Sequence, residues 1–314
     1  MTHDTTADDA YAGEELLELL KYVLVGVNAL LFVAAAFVFV TSPRRAVAAV
    51  DTSSASAVTK HALLVTAHPD DESMFFLPLM HSLTQHTAGD ANEWQVHLLC
   101  LSRGNFDGLG TVREQEMAAC GHFVGIAEQN IHVLEDPQLQ DGMQATWSHA
   151  HIATLVLEYI EAHSINAVFT FDDYGVSGHA NHIAVHHGVK QAVEEQHRRC
   201  DAVTTSSEAS TSSAKVRGWA LESTSILRKY IGVLDALVSS WTLRDGDDSA
   251  FVFLCKPWWN YQAMALHHSQ FVWYRRLFVL FSRYTFVNTF HTLAPHRPSH
   301  REQDEPPLAH KKTQ

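Results

Sequence analysis

The chain has 314 residues, with 22 Lys and Arg against 35 Asp and Glu, a formal net charge of −13. An acidic chain without a basic stripe is a poor match for nucleic acid, so no nucleic-acid partner is expected. None of the four cysteines (Cys100, Cys120, Cys200, Cys255) belongs to a C-x-x-C pair, which excludes a Cys-pair zinc or redox motif.

Residues 1–21 form an acidic tail, and Tyr22–Val40 then runs without a charge. As a helix that run spans about 28 Å, close to the hydrocarbon core of a bilayer, and it predicts a transmembrane anchor. A secretory signal would have a basic n-region and a shorter core, although small residues at Ala46–Ala49 leave cleavage open. Arg44 and Arg45 follow the span, so the positive-inside rule puts the C-terminal body in the cytosol. No N-x-S/T site occurs, which agrees with that side. Residues 41–60 read as a linker, residues 61–292 as the folded body and residues 293–314 as a polar, disordered tail.

Within the body, His61–Ala67 and Trp94–Leu101 read as buried strands, Ile131–Leu134 as a short third and Asn166–Phe171 as a fourth. Thr111 with Glu114 predicts a capping box opening a helix. Trp147–His163 has helical spacing through Ile152, Leu155, Val156, Tyr159 and Ile160, and a further helix is expected near Asn181–His197. Residues 201–214 are Ser/Thr/Ala-rich and read as a surface insertion; Val216–Leu221 and Phe251–Leu254 read as later strands. Cys100 and Cys255 sit in such apolar runs and read as small core residues. The alternation predicts an α/β, Rossmann-like, mostly parallel sheet with helices on both faces, preceded by the N-terminal transmembrane helix. If the strand order is 3-2-1-4-5, strands one and four meet at the switch point, where sites form beyond the strand ends.

The chemistry-bearing segments follow those two strands. The first is Ala67-His68-Pro69-Asp70-Asp71-Glu72, where three successive acids repel one another unless a cation or a helix N-terminus relieves them. His68 and Asp71, three apart, can converge while Asp70 points elsewhere, and Pro69 suits a first helical turn. An acidic helix start without metal is the alternative. The second segment is Phe171–His182, in which Gly175 and Gly178 permit a tight loop and His179 and His182 repeat the three-residue spacing. His186 and His187 offer a rival spacing on the next helix, but a packed helix face accounts for them. Two His and one carboxylate with an open position is the catalytic pattern for zinc, and a spare Asp70 and His179 suit amide hydrolysis.

These motifs resemble the N-acetylglucosaminyl-phosphatidylinositol de-N-acetylase family, within the wider LmbE-like deacetylases. The family's A-H-P-D-D-E stands at Ala67–Glu72 and its G-V-S-G-H-x-N-H at Gly175–His182, while Leu101–Gly110 with Arg113 and Glu116 resembles its middle motif. Ser225–Leu234 and Ser269–Tyr284 look like the lipid-linked branch. The resemblance implies His68, Asp71 and His182 as ligands of a divalent metal, zinc first. It implies Asp70 as general base, His179 as acid or electrostatic partner, and Arg113 and Asn105 near the sugar or phosphate. Asp172 would orient His179; Arg103 is left outside the site as a surface residue. The implied reaction is removal of acetate from N-acetylglucosaminyl-phosphatidylinositol, in glycosylphosphatidylinositol-anchor synthesis at the endoplasmic reticulum membrane. The implied partners are that lipid and the bilayer. Phe271–Phe290 interleaves aromatics with Arg275, Arg276 and Arg283, which suits a helix at a membrane interface and equally a helix packed on the sheet. A soluble N-acetylglucosamine conjugate as substrate, or a non-catalytic membrane scaffold, are the alternatives. A Walker-type ATPase and a serine hydrolase are excluded by the lack of G-x-x-x-x-G-K and G-x-S-x-G.

Overall fold

A computed structural model describes residues 59–84, 94–142, 145–205, 214–242 and 249–293, together with Tyr22, Gly26, Val27, Leu30 and Val33, which are helical. Apart from those five positions, the expected tail 1–21, the anchor 22–40 and most of the linker lie outside the described residues, as does the tail beyond Leu293. Among the described residues no helix is long and apolar enough to cross a membrane.

The sheet is built from β1 (Lys60–Thr66), β2 (Trp94–Cys100), β3 (Ile131–Val133), β4 (Ala167–Phe171), β5 (Arg217–Leu221), β6 (Ser249–Phe253) and β7 (Val287–Thr292), in the order β3-β2-β1-β4-β5-β7-β6. The first five run parallel, and β7 pairs antiparallel with both β5 and β6. Central β1 is buried on both faces through Leu63, Leu64 and Val65, as a parallel strand covered by helices on both sides requires. The helices are α1 (Asp71–Phe75), α2 (Leu77–Thr84), α3 (Gly110–Val124), α4 (His149–Ala162), α5 (Ala180–Thr205), α6 (Ile226–Lys229), α7 (Asp235–Thr242), α8 (Pro257–Ala265) and α9 (Trp273–Phe281), with a kinked helical turn at Gly175–Gly178 before α5. α4 and α5 pack together on one face, α5 lying over β1, β4 and β5; α2 and α3 lie over the other, with α8 outside them. The expected mostly parallel sheet is present, and β1 and β4 are neighbours at the switch point.

Several local expectations are corrected. The capping box does not form: α3 starts at Gly110, and Glu114 instead accepts two hydrogen bonds from Arg103, at 2.6 and 2.9 Å. Pro69 stands outside α1, whose cap is Asp70. Residues 201–205 continue α5 rather than opening a loop, and 206–213 lie outside the described residues. Cys255, just past β6, is exposed rather than core.

The stretch 271–290 is not one interfacial helix. α9 ends at Phe281, a 3-10 turn covers Arg283–Thr285, and β7 follows. Arg283 is fully buried, where its Nε meets the Asp235 carboxylate at 2.5 Å and its guanidinium lies over the Tyr284 ring. A buried guanidinium so paired is a strut of the core and has no path to a membrane surface.

Candidate active site

The chain turns sharply after β1. Asp70 has φ 115°, a value that disfavours any residue with a side chain, and the turn is held by neighbouring groups. Its N–H donates to Glu72 Oε2 at 3.0 Å, and the Ser73 hydroxyl donates to its carbonyl at 2.9 Å. Glu72 is in turn bound through its other oxygen to His267, both fully buried, so a residue just past α8 anchors this turn. Asp71 Oδ2 accepts from the N–H groups of Ala67 (3.0 Å) and His68 (2.9 Å), which leaves Oδ1 turned towards His182 Nε2 at 3.2 Å.

The loop after β4 is equally constrained. Asp172 accepts from the backbone N–H of Tyr174, Gly175 and Ser223, and from the Ser223 hydroxyl. It therefore organises the loop and does not orient His179, as the sequence suggested. Gly175 has φ 62°, and a β-carbon there would lie 2.7 Å from the His182 Cβ. Val176, at φ 67°, is an outlier for a β-branched residue, held by the Ser223 hydroxyl on its N–H and Lys229 on its carbonyl. The Gly175 carbonyl accepts from His182 Nδ1–H at 3.1 Å, fixing the tautomer that leaves Nε2 as a donor atom.

His68, Asp71 and His182 are all buried and offer ligand atoms within 4.8 Å of one another. Burial alone would raise the Asp71 carboxyl, but the charge and hydrogen bond of His182, with His68, hold it well below the usual carboxylate range. Burial would lower His182, and Asp71 reverses that and raises it. A buried carboxylate of this kind demands a positive partner, which a proton on His182 or a divalent cation can supply. The side-chain amide of Asn181 gives a second sign. Its Oδ1 is buried without a partner, while its Nδ2 stands 2.9 Å from His68 Nε2, which also faces Asp141 Oδ1 at 3.2 Å. Turning that amide would satisfy Oδ1, place the His68 proton on Nε2 and leave Nδ1 as the metal donor. The donor set of two imidazoles and one carboxylate fits zinc and its neighbours.

Asp70 lies beside this cluster, 3.6 Å from Arg113 Nη2 and in contact with Arg275. Burial raises its carboxyl above the ordinary range; Arg275 and Arg113 oppose the shift and Asp71 adds to it. His179 is lowered to about 4 by burial and by His182 and His68, so its ring is neutral at pH 7. Its Nδ1 accepts from Asn181 N–H at 3.3 Å, which leaves Nε2–H as the free donor, with the ring centroid 5.1 Å from that of His68.

Arg113 is buried and braces the site, donating to the carbonyls of Gly104 and Pro69 at 2.8 Å each and lying 3.7 Å from Asp141. Asn105 is exposed and closes its own loop by accepting from Gly110 N–H at 2.8 Å; it lines a small pocket of about 30 Å³ with Ser102 and Asp141. Arg103 is outside the cluster, paired with Glu114 and Glu135. His186 donates to the Phe171 carbonyl from a buried helix face, which leaves His182 as the α5 imidazole that faces His68 and Asp71. Sequence reasoning assigned no role to Asp141, Asn181, Ser223 or His267, and read Arg275 as an interfacial cation. Asn181 lies inside a quoted motif and Arg275 inside the stretch that looked like the lipid-linked branch; the other three carried no local signal, because they reach the site from distant segments.

Residues 63–193 match the family model for GlcNAc-PI de-N-acetylase, PIG-L. The probable N-acetylglucosaminyl-phosphatidylinositol de-N-acetylase of Schizosaccharomyces pombe is 37% identical over 230 residues, which cover 72% of this chain and 84% of that protein. The N-acetylglucosaminyl-phosphatidylinositol de-N-acetylase of Bos taurus is 36% identical, with coverage of 74% and 83%. A probable enzyme of the same name from Dictyostelium discoideum is 34% identical, with coverage of 74% and 93%. With the two motif segments converging on one buried cluster, the chain belongs to the GlcNAc-PI de-N-acetylase family.

Proposed function

We propose that this chain hydrolyses the acetamide of N-acetylglucosaminyl-phosphatidylinositol to glucosaminyl-phosphatidylinositol and acetate, in the assembly of glycosylphosphatidylinositol anchors. The observation that carries the reading is the buried convergence of His68, Asp71 and His182 beside Asp70, in a chain whose relatives bear that activity in their names. His68, Asp71 and His182 would hold the metal. When bound, a divalent cation, zinc first, supplies Lewis-acid activation of the amide carbonyl and of water.

The protein's own groups do the proton work. Asp70 takes a proton as the water oxygen adds to the acetamide carbon, and its raised carboxyl suits holding that proton. Neutral His179 donates through Nε2–H to the oxygen on which negative charge develops. The carbon–nitrogen bond then breaks, and Asp70 passes its proton to the departing amine. Arg113 positions Asp70, and the exposed amide of Asn105 at the pocket rim is offered to the sugar. The reading takes Tyr22–Val40 as a single-pass anchor in the endoplasmic reticulum membrane, with the body of residues 61–292 on the cytosolic side.

Acetate release from N-acetylglucosaminyl-phosphatidylinositol, and from N-acetylglucosaminyl-inositol without lipid, tests this reading. Chelator-sensitive release from the lipid supports it. Release from the soluble compound alone would assign the enzyme to a soluble aminosugar conjugate.

A further inference from the structure

A groove of about 370 Å³ lies between Tyr230 and α9. Its wall is Met74, Tyr230, Tyr274, Leu277, Phe278 and Phe281, with Arg275 the sole charge among its described lining residues. The volume is in the range of ligand pockets. Around it stand unusually bare apolar side chains: Ile226 is 77% exposed, Leu227 75% and Trp273 73%.

Three covalently separate parts of the wall reach the catalytic cluster. Met74 belongs to α1, and its N–H donates to the Asp70 carbonyl at 2.9 Å. Lys229, next to Tyr230, donates to the Val176 carbonyl in the loop that positions His182. Arg275 contacts the Asp70 carboxylate through Nη1 and holds the Gln270 amide oxygen at 2.9 Å. The groove therefore abuts the site, and one cation, Arg275, stands where the two meet. An apolar groove, then a guanidinium, then a buried cluster matches a molecule that is hydrocarbon, then phosphate, then sugar.

We propose that this groove binds the acyl chains of the lipid substrate and that Arg275 holds the phosphodiester at its inner end. The proposal rests on the lipid-substrate reading above. It differs from simple attachment to a bilayer, because the groove takes the chains of the molecule being cleaved. It makes Arg275 a specificity residue, and Leu277 and Phe281 contacts of the first chain carbons.

The test compares the full-length, metal-loaded protein on three substrates. These are monomeric dihexanoyl N-acetylglucosaminyl-phosphatidylinositol below its critical micelle concentration, its deacylated glycerophosphoinositol form, and N-acetylglucosaminyl-inositol. The dihexanoyl compound is expected to exceed the deacylated one in kcat/KM by at least about tenfold, the effect of burying roughly two methylenes. Leu277→Glu and Phe281→Glu, at half-exposed positions, should each reduce that ratio to about threefold or less, since a carboxylate must be desolvated in the groove. Arg275→Gln should lower the preference for the deacylated phosphodiester over the phosphate-free compound by about tenfold, the loss of one charge-assisted contact. No chain advantage in the unsubstituted protein overturns the proposal, because the apolar face would then serve bulk lipid only. Equal effects of the groove variants on acylated and deacylated substrates overturn it too. Acetate release from none of the three would remove the lipid-substrate reading itself, and the proposal with it.

Discussion

Gly175→Ala is the sharpest single perturbation of the site. The backbone at Gly175 has φ 62°, and an added β-carbon would lie 2.7 Å from His182 Cβ and 3.1 Å from the Ile183 nitrogen. Holding a residue with a side chain in this left-handed region costs about 1–2 kcal/mol. Relieving the overlap in a packed setting costs about 1–3 kcal/mol more. The sum, about 2–5 kcal/mol, has two outlets. If the loop holds, the whole body is destabilised, and at about 2–4 °C per kcal/mol the melting temperature falls by about 4–20 °C. If the loop yields, the Gly175 carbonyl leaves His182 Nδ1, and metal affinity falls by about 10–100-fold, the usual effect of losing a partner that orients a metal-binding imidazole. Thermal melts of the full-length protein with zinc and with chelator, alongside a competitive zinc titration, read both outlets. An alanine variant with unchanged melting temperature and unchanged zinc affinity would refute the reasoning.

Asp70→Asn should cut hydrolysis by about 10²–10⁴-fold, the usual worth of a general base, while zinc affinity stays within a fewfold; His182→Ala should lose both. Turnover of Asp70→Asn at the native rate would exclude Asp70 as the base. His267→Ala leaves the Glu72 charge buried without its partner and should cost about 3–5 kcal/mol in chemical denaturation, whereas His267→Ala combined with Glu72→Gln should cost less than the two single changes added together. Additive costs in that cycle would show that the pair is not coupled. The third effect is a pH dependence. Burial and the neighbouring His61, His163 and His132 lower His97 to about 4, below its unfolded value of 6.5. The unfolded chain therefore binds a proton that the native state refuses, so the contribution of His97 is complete above pH 6.5 and lost as pH falls towards 4. At most about 3 kcal/mol is at stake, and His97→Leu should flatten the slope of denaturant stability between those pH values. An unchanged slope in the variant would count against the argument.

The parallel half of the sheet was legible because β1, β2 and β4 are mostly apolar runs closed by loop residues, and burial on both faces is what such runs require. The two motif segments were legible because adjacent acids and paired histidines at strand ends have few structural uses. The antiparallel edge was not. β7 inserts between β5 and β6, and its Val287–Thr292 sequence follows an aromatic and basic stretch whose helical spacing ends at Phe281. Arg283 looked like an interfacial cation; only the fold reveals Asp235 as its buried partner. Asp172 lay beside the histidines in sequence, yet the loop N–H groups and Ser223, which follows β5, claim its carboxylate. Arg275, 205 positions from Asp70, could be placed at the site only once α9 was seen to fold back over α1. Contacts made across the sheet edge carry no trace in local spacing.

In the proposed function His68, Asp71 and His182 hold a metal with which Asp70 hydrolyses a lipid-linked acetamide. The most direct measurement is acetate release from N-acetylglucosaminyl-phosphatidylinositol by the purified full-length protein, before chelation, after chelation and after zinc is restored. The expected result is release that chelation abolishes and zinc restores in the native protein, and no restoration in His182→Ala. Release that persists through exhaustive chelation, or full restoration in His182→Ala, would contradict it.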